Sequence, residues 1–501
     1  MNVHLLFPDR DFTVDPSPAQ RGRDVMDDLG LHKLLQAMAG GNPLVYEVAR
    51  AVLLSDGPDI AVIRYRQAVL EDALQNPECL RTMFQIAERA LVGERHWLFG
   101  SFWSQRPSAL LHRGIDVMEA FARELMRLKA TVDESRHAFR SEGLRTLAAV
   151  LDDELSPAFF EHVREHLRLL QFTEGTTVSA RLGPGMRPTE FVLRRPAKSR
   201  RSWRGLRSSR GPAFTFTINE RDESGAQAVA GLYNRGINQV ADVLTQATDH
   251  VKSFFTRLER ELGFYVACLN LCEHLQTAGT VWTLPTPLDH PQSDWRAEGL
   301  YDPALTLAGR GPVVDNDFQM DGHDVVVITG ANQGGKSTFL RSIGLAQLMM
   351  QAGMVVCARR YEGPAFPRLF THFRREEDAA LERGKLDEEL ARMSQIVDHL
   401  QPGSMVLFNE AFASTNEREG AEVALQILTA LVESGIRVLV VTHLYALTRR
   451  LQGVPTLHPL FLRAERTEDG RRTFKILPGA PLSTSFGPDL FREVFYQEPR
   501  S

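Results

Sequence analysis

From Asp59 to Leu74 the apolar positions Ile60, Ile63, Leu70 and Leu74 fall with Gln67 on one face of a 3.6-residue period, the spacing of an amphipathic helix. Residues 1–110 as a whole read as helical with short joints. A second run starts at Met118, where Phe121, Leu125, Leu128, Val132 and Phe139 recur by threes and fours and predict a long helix. Ser156-Pro157 supplies a hydroxyl N-cap and a first-turn proline, predicting a further helix to about Leu170. After Gly175 the period becomes two. Thr176–Leu182, a Gly183-Pro184-Gly185 turn and Thr189–Arg195 predict a hairpin, and Ala213–Asn219 a third strand with Phe214, Phe216 and Ile218 on one face.

Helical spacing then returns and lasts, through Val240, Leu244, Val251, Leu258, Leu262, Leu269 and Cys272, a rod of roughly 50 Å. A small β element between two long helices is the pattern of a lever with a tip; it also fits a helical bundle carrying an inserted sheet. The composition turns to α/β near Thr283, with Gly- and Pro-rich joints over Leu284–Pro291. The expected organisation is a helical core over 1–110, lever helices over 111–172, a β-rich tip over 173–222, a return helix over 223–282 and an α/β domain over 283–501.

Candidate chemistry is concentrated in that last domain. Asp324–Thr329 predicts a buried strand, and Thr338–Met350 a helix. Between them Gly330-Ala331-Asn332-Gln333-Gly334-Gly335-Lys336-Ser337 fits GxxxxGK[ST], followed by Thr338. Glycines let backbone N–H groups curl around phosphate oxygens, and the helix N-terminus adds positive potential. Lys336 is expected at the β- and γ-phosphates of ATP, and Ser337 on Mg²⁺. Ser404–Glu410 predicts a second buried strand ending in polar residues. Asn409 stands where a magnesium-side carboxylate is usual, which implies weaker metal binding and slow hydrolysis. Glu410 stands where a general base orients water. A third strand, Ile436–Val441, leads to Thr442-His443, and His443 is a candidate contact for the γ-phosphate.

Composition narrows the class. The chain has 501 residues, too many for one ordinary domain, with 58 basic against 63 acidic residues and 43% apolar content. A net charge of −5 excludes nucleic-acid binding through overall charge and leaves room for a local basic patch. Cys79, Cys268, Cys272 and Cys357 are too few for a disulfide framework and suit a reducing compartment. Cys268 and Cys272, with His274 near, read as buried apolar thiols. No apolar run reaches the roughly 20 residues of a membrane span, and Met1–Asp11 lacks a signal peptide's apolar core, so a cytoplasmic protein without membrane contact is expected.

Val327–Thr338 (VITGANQGGKST) is similar to the phosphate loop of the MutS family of mismatch-repair ATPases, with Ala331 where that family usually has Pro and Gln333 where it has Met. Val313–Asp317 resembles the segment lining its adenine pocket, with Val313 where an aromatic residue often stacks on the base. Leu369–Phe373, Glu410–Gly420 with Thr415, His443, Phe474–Gly479 and Ser485–Gly487 resemble further family stretches, and Asp59–Leu74 resembles its core domain. The resemblance implies an ABC-type P-loop ATPase domain, a helical lever with a β clamp, a homodimer with ATP and Mg²⁺ at its interface, and double-stranded or branched DNA as partner. Gly384–Leu390 lies where the family offers a Ser-Thr pair to the partner subunit's nucleotide; Lys385 is the candidate replacement. No N-terminal mismatch-reading domain is expected, and no nuclease domain is expected before Ser501. Phe159-Phe160-Glu161 matches the family's DNA wedge only as a string, and both phenylalanines are expected in core packing.

The sharpest compositional event is a loop between the second and third tip strands. Arg194, Arg195, Lys198, Arg200, Arg201, Arg204, Arg207 and Arg210 put eight cations into seventeen residues without an acid, around Trp203. Such a cluster anchors a nucleic-acid backbone without reading sequence, and Trp203 can stack on a base or pack on the hairpin. The expected function is a MutS-like DNA-binding ATPase whose nucleotide controls the lever's grip, without wedge-type mismatch recognition. The alternatives are an ATP-binding switch with negligible hydrolysis, and an ATPase acting on structured RNA or ribosomes.

Overall fold

A computed structural model describes residues 1–13, 20–57, 59–99, 107–173, 175–186, 188–194, 217–219, 221–289, 294–309, 312–375, 384–467 and 471–481. Helices α1 (Gln20–Asp28), α2 (Leu31–Ala39), α3 (Pro43–Leu53), α4 (Ile60–Gln75) and α5 (Pro77–Phe99) open the chain. Helices α6 (Pro107–Ser135), α7 (Glu142–Glu154) and α8 (Pro157–Leu170) follow, then strands β1 (Thr177–Leu182) and β2 (Pro188–Arg194), and helix α9 (Glu223–Thr277). The remainder alternates: β3 (Thr286–Leu288), β4 (Trp295–Leu300), α10 (Pro303–Leu307), β5 (Asn316–Met320), β6 (Val325–Thr329), α11 (Lys336–Ala352), β7 (Arg360–Pro364), β8 (Leu369–Phe373), α12 (Lys385–Val397), β9 (Met405–Asn409), α13 (Glu417–Glu433), β10 (Arg437–Val441), α14 (Tyr445–Gln452), β11 (Pro459–Arg466) and β12 (Arg472–Pro478). Among the described residues no helix is long and apolar enough to cross a membrane. All four cysteines are buried and free, and burial raises the thiols of Cys272 and Cys357 to about 12, which keeps them unreactive.

The chain forms two compact units. One holds Met1–Val3, Arg81–His137 and Leu147–Glu259; the other holds His4–Leu80, Ala138–Thr146 and Arg260–Ser501. In the first, Leu111, Ile115 and Met118 of α6 pack with Leu167 of α8 and Ile237, Ala241 and Leu244 of α9. Gly114 lets α6 and α9 close up, since a Cβ there would lie 2.8 Å from Leu244 Cδ2. Ser156 caps α8 as its hydroxyl accepts the Phe159 N–H at 3.2 Å. The hairpin β1–β2 is antiparallel and rests on α9, where a Cβ on Gly236 would lie 2.8 Å from Val178 Cγ2. One expectation needs correction. Phe159 is 37% exposed and leans edge-on against Phe160 rather than entering the core, because it sits on the outer face of α8. Among the described residues this sheet has two strands and 217–219 belong to neither; residues 213–216 of the expected third strand lie outside the described residues.

The second unit is built on a six-stranded sheet in the order β12-β11-β6-β10-β9-β8, parallel except for β12. Its central strands are continuous apolar runs because helices cover both faces. Helix α11 is buried along nearly its whole length, and α13, α12 and α14 close a core around Phe408, Phe412 and Leu428. A second, four-stranded sheet runs β3-β7-β4-β5.

The N-terminal segment is held in this unit by one buried acid. Glu261 Oε2 accepts the N–H groups of Leu5 (2.6 Å) and Leu6 (2.9 Å), and Oε1 that of Phe12 (2.8 Å). Tyr265 donates its hydroxyl to Leu5 O at 2.6 Å, and Arg66 Nε donates to Leu6 O at 3.0 Å. Burial outweighs the three donors and moves the Glu261 carboxyl from 4.5 to about 7. An acid raised on folding keeps its proton in the folded state between those values, so its contribution to stability falls as pH rises from about 4.5 through about 7. Urea unfolding at about pH 5 and about pH 8 is expected to show wild type losing roughly 2 kcal/mol relative to Glu261→Gln. An identical wild-type-to-variant difference at both values would refute this titration.

Candidate nucleotide site

The loop after β6 is shaped by close approach to β11. Gly330 has φ 116°, and a Cβ on it would lie 3.0 Å from both Cβ and N of Ala464. A Cβ on Gly334 would lie 2.9 Å from Ala331 O and 2.9 Å from Ala464 Cβ. Gly335, at φ 91°, turns the chain into α11, whose N-terminal amides are thereby presented to the loop. Lys336 is 4% exposed, and its Nζ donates to Gly330 O (3.0 Å) and Ala331 O (2.9 Å). Burial lowers its pKa, opposed by the Glu410 carboxylate. Arg472 donates to Gln333 Oε1 at 3.0 Å, so β12 also holds the loop.

Ser337 donates its hydroxyl to Asn409 Oδ1 at 2.9 Å. These two neutral oxygens fit a magnesium ion that keeps its waters and takes the rest of its ligands from phosphates; they supply no carboxylate. Among the described residues no group of three or more His, Cys, Asp or Glu side chains could hold a metal by itself. Glu410 follows Asn409 in the left-handed region at φ 54°, its N–H donating to Val441 O at 2.9 Å. That strained turn lifts its carboxylate out of the sheet. The turn is continued by Phe412 at φ 59°, and Gly420 must remain bare because a Cβ there would lie 2.3 Å from Phe412 O. His443 is exposed just past β10.

A single cavity of about 700 Å³ collects these groups. Asn332, Gln333, Gly334, Gly335, Lys336, Ser337, Thr338, Glu410 and His443 all line it. Gly330 and Ala331 stand behind the lining and offer carbonyls to Lys336, and Asn409 joins through Ser337. The apolar lining comes from Leu300, Leu305, Pro312, Val313, Val314 and Phe474. Arg194 belongs to the other compact unit, where its Nε donates to Ser179 Oγ at 3.0 Å. Arg195, Lys198, Arg200, Arg201, Trp203, Arg204, Arg207 and Arg210 lie outside the described residues, as do Ser485–Gly487.

Three further residues shape the site: Asn316, read from the sequence only as part of the Val313–Asp317 stretch, and Arg374 and Glu389, to which sequence reasoning gave no role. Asn316 donates to Phe474 O (3.3 Å) and accepts the Ile476 N–H (2.7 Å), joining β5 to β12 beside the cavity. Arg374 lines the cavity directly. Glu389 accepts the Phe412 N–H at 2.6 Å and the Ser414 hydroxyl at 2.7 Å, bracing the turn that carries Glu410. Its backbone carbonyl accepts from Nε2 of the buried His372, which burial holds below the usual histidine range and which stacks on Phe412. Glu389 left a readable trace, an acid among Leu386, Met393 and Ile396 on the apolar stripe of α12.

Residues 58–278 match the family model described as the MutS2 N-terminal domain, and residues 326–492 the one described as MutS domain V. The DNA mismatch repair protein MutS of Thermus aquaticus is 34% identical over 192 residues, covering 36% of this chain and 23% of that protein. MutS of Thermotoga neapolitana is 33% identical over 193 residues, 36% of this chain and 24% of its own length. MutS of a Thermus thermophilus strain is 32% identical over 191 residues, with coverage of 36% and 23%. The matched part of the chain thus spans less than a quarter of these relatives.

Glu389→Ala leaves the Phe412 N–H buried without an acceptor, at an expected cost of about 2 kcal/mol in urea unfolding. Amide exchange at Phe412 should accelerate while that of β6 stays slow. Unchanged protection at Phe412 would mean that the turn holds itself.

Proposed function

The chain belongs to the MutS family, and from that premise we propose that it is a DNA-binding ATPase whose nucleotide state sets its grip on DNA. The observation that carries the reading is the convergence of Lys336, Ser337, Glu410 and His443 on one cavity at the carboxyl ends of β6, β9 and β10. Polar groups at that edge of a parallel sheet meet ligand from several strands at once. Lys336 and the N-terminal amides of α11 bind the β- and γ-phosphates. Glu410 orients the attacking water and takes its proton. His443 donates a hydrogen bond to the γ-phosphoryl oxygen as charge builds there. Ser337 and Asn409 hold the magnesium, which when bound neutralises charge on the phosphate oxygens. Leu305, Val313 and Phe474 offer the apolar surface for a base.

In this reading residues 1–110 form the core, 111–172 and 223–282 the lever, 173–222 the clamp and 283–501 the ATPase domain of a cytoplasmic homodimer. Nucleotide lies between subunits, with Lys385 of one protomer reaching the other's phosphate. Binding at the γ-phosphate shifts the lever between two populations, and the basic cluster from Arg194 to Arg210 holds double-stranded or branched DNA by its backbone. Asn409 favours a second reading, a switch that binds ATP with negligible turnover, since the metal is held without a carboxylate.

Phosphate release separates the two. Glu410→Gln is expected to lower kcat about 10²- to 10³-fold with nucleotide affinity retained. Equal, near-background rates for wild type and variant would support the switch. The DNA assignment predicts that replacing Arg200, Arg201, Arg204 and Arg207 by Ala reduces the slope of log affinity against log salt by about 3 to 4. An unchanged slope removes the basic cluster from the interface, and stronger competition by structured RNA than by duplex or branched DNA would transfer the partner to RNA.

A further inference from the structure

Strands β8, β9 and β10 run parallel and in step, with Phe373 paired to Asn409 and Asn409 to Val441. The residues just beyond this line therefore emerge side by side at the edge that bears the cavity: Arg374 after β8, Glu410 after β9, and Thr442-His443 after β10. Arg374 is fixed there by its backbone, whose N–H donates to Asn409 O at 3.0 Å. Its side chain is exposed and lines the cavity with Lys336, Glu410 and His443.

The arginines around it are committed to structure. Arg375 pairs with Asp24, and Arg392 donates to Phe373 O at 3.0 Å. Among the described residues the guanidinium of Arg374 has no hydrogen-bond or ion-pair partner. A guanidinium at the mouth of a cavity that no described residue pairs is matched to an anion. The charge balance of the site asks for one. A nucleoside triphosphate brings about four negative charges, Glu410 adds another, and Asn409 contributes no carboxylate to hold a metal ion against them. Lys336 is the only cation that the phosphate-loop motif itself provides.

We propose that Arg374 is an intrachain cation for the outermost phosphoryl group, so that the chain tells a nucleoside triphosphate from a diphosphate by a guanidinium delivered from the end of β8. The proposal rests on the nucleotide reading of the cavity. Its geometry is distinct from that of Lys336, which comes from β6 on the other side of β10 and β9 in the sheet. Arginine suits the task because its fork pairs with two phosphate oxygens at once and does not lose its proton when water is excluded.

Calorimetric titration of the full chain with magnesium ADP and with the β,γ-methylene analogue of ATP tests it in wild type, Arg374→Ala and Arg374→Lys. Loss of one charge-assisted contact is expected to weaken the triphosphate analogue about tenfold in Arg374→Ala while ADP stays within about twofold. Arg374→Lys should recover part of the loss, since charge is kept and the fork is not. Retained ADP binding also reports that the variant is folded. A triphosphate-to-diphosphate ratio unchanged by the substitution, or an equal loss for both nucleotides, overturns the role of Arg374 and leaves the cavity's reading intact. Wild type that binds neither nucleotide overturns both.

Discussion

The in-step pairing of parallel strands governs the site more than any single contact within it, because a parallel ladder delivers each strand's last residue to a common edge while its apolar body stays buried. Val325–Ile328, Val438–Val441 and Met405–Asn409 are registered residue for residue. A slip of one position in β9 would exchange Asn409 for Glu410 beside Ser337 and turn every buried side chain of that strand to the opposite face. The register is therefore protected by the whole apolar core, and the polar edge inherits its precision at no separate cost.

Around that edge two buried acids, Asp302 and Glu389, use both of their carboxylate oxygens. Asp302 illustrates the arrangement. One oxygen caps α10 through the Ala304 N–H at 2.8 Å, and the other accepts Arg341 Nε from α11 at 2.6 Å. Glu389 does the same between α12 and the turn after β9. Each acid is nearly or wholly inaccessible, and each would be costly to bury without donors. Since both oxygens are satisfied, the same burial becomes a directional constraint that apolar packing lacks. The elements tied in this way carry the cavity lining: α11 holds Lys336, Ser337 and Thr338, and the turn after β9 holds Glu410.

What the sequence disclosed followed from periodicity and from local rules. The strand–loop–helix around Gly330–Ser337 was legible because glycine spacing, an apolar strand and a helical run are all short-range signals. Ser156-Pro157 was legible as a cap for the same reason. Helix α9 was periodic from Val240 onward, whereas its opening turns expose Val229 and Leu232 and so carry a broken stripe. Phe159 was misplaced because a hydrophobic residue announces its preference and not its face, and α8 has a single fully buried position, Leu167. Arg374 was invisible for another reason. Its importance lies in what the sheet order sets beside it, β9, and no local pattern encodes that neighbourhood.

The tight seam between the phosphate loop and β11 has an evolutionary reading. Two glycines there are small because Ala464 stands against them, and Ala464 must be equally small in return. Intolerance to bulk is thus shared across more than a hundred residues of chain. In a saturation library scored for nucleotide binding, position 464 would behave as a hidden member of the motif, tolerating little beyond glycine and serine although it belongs to no recognisable signature.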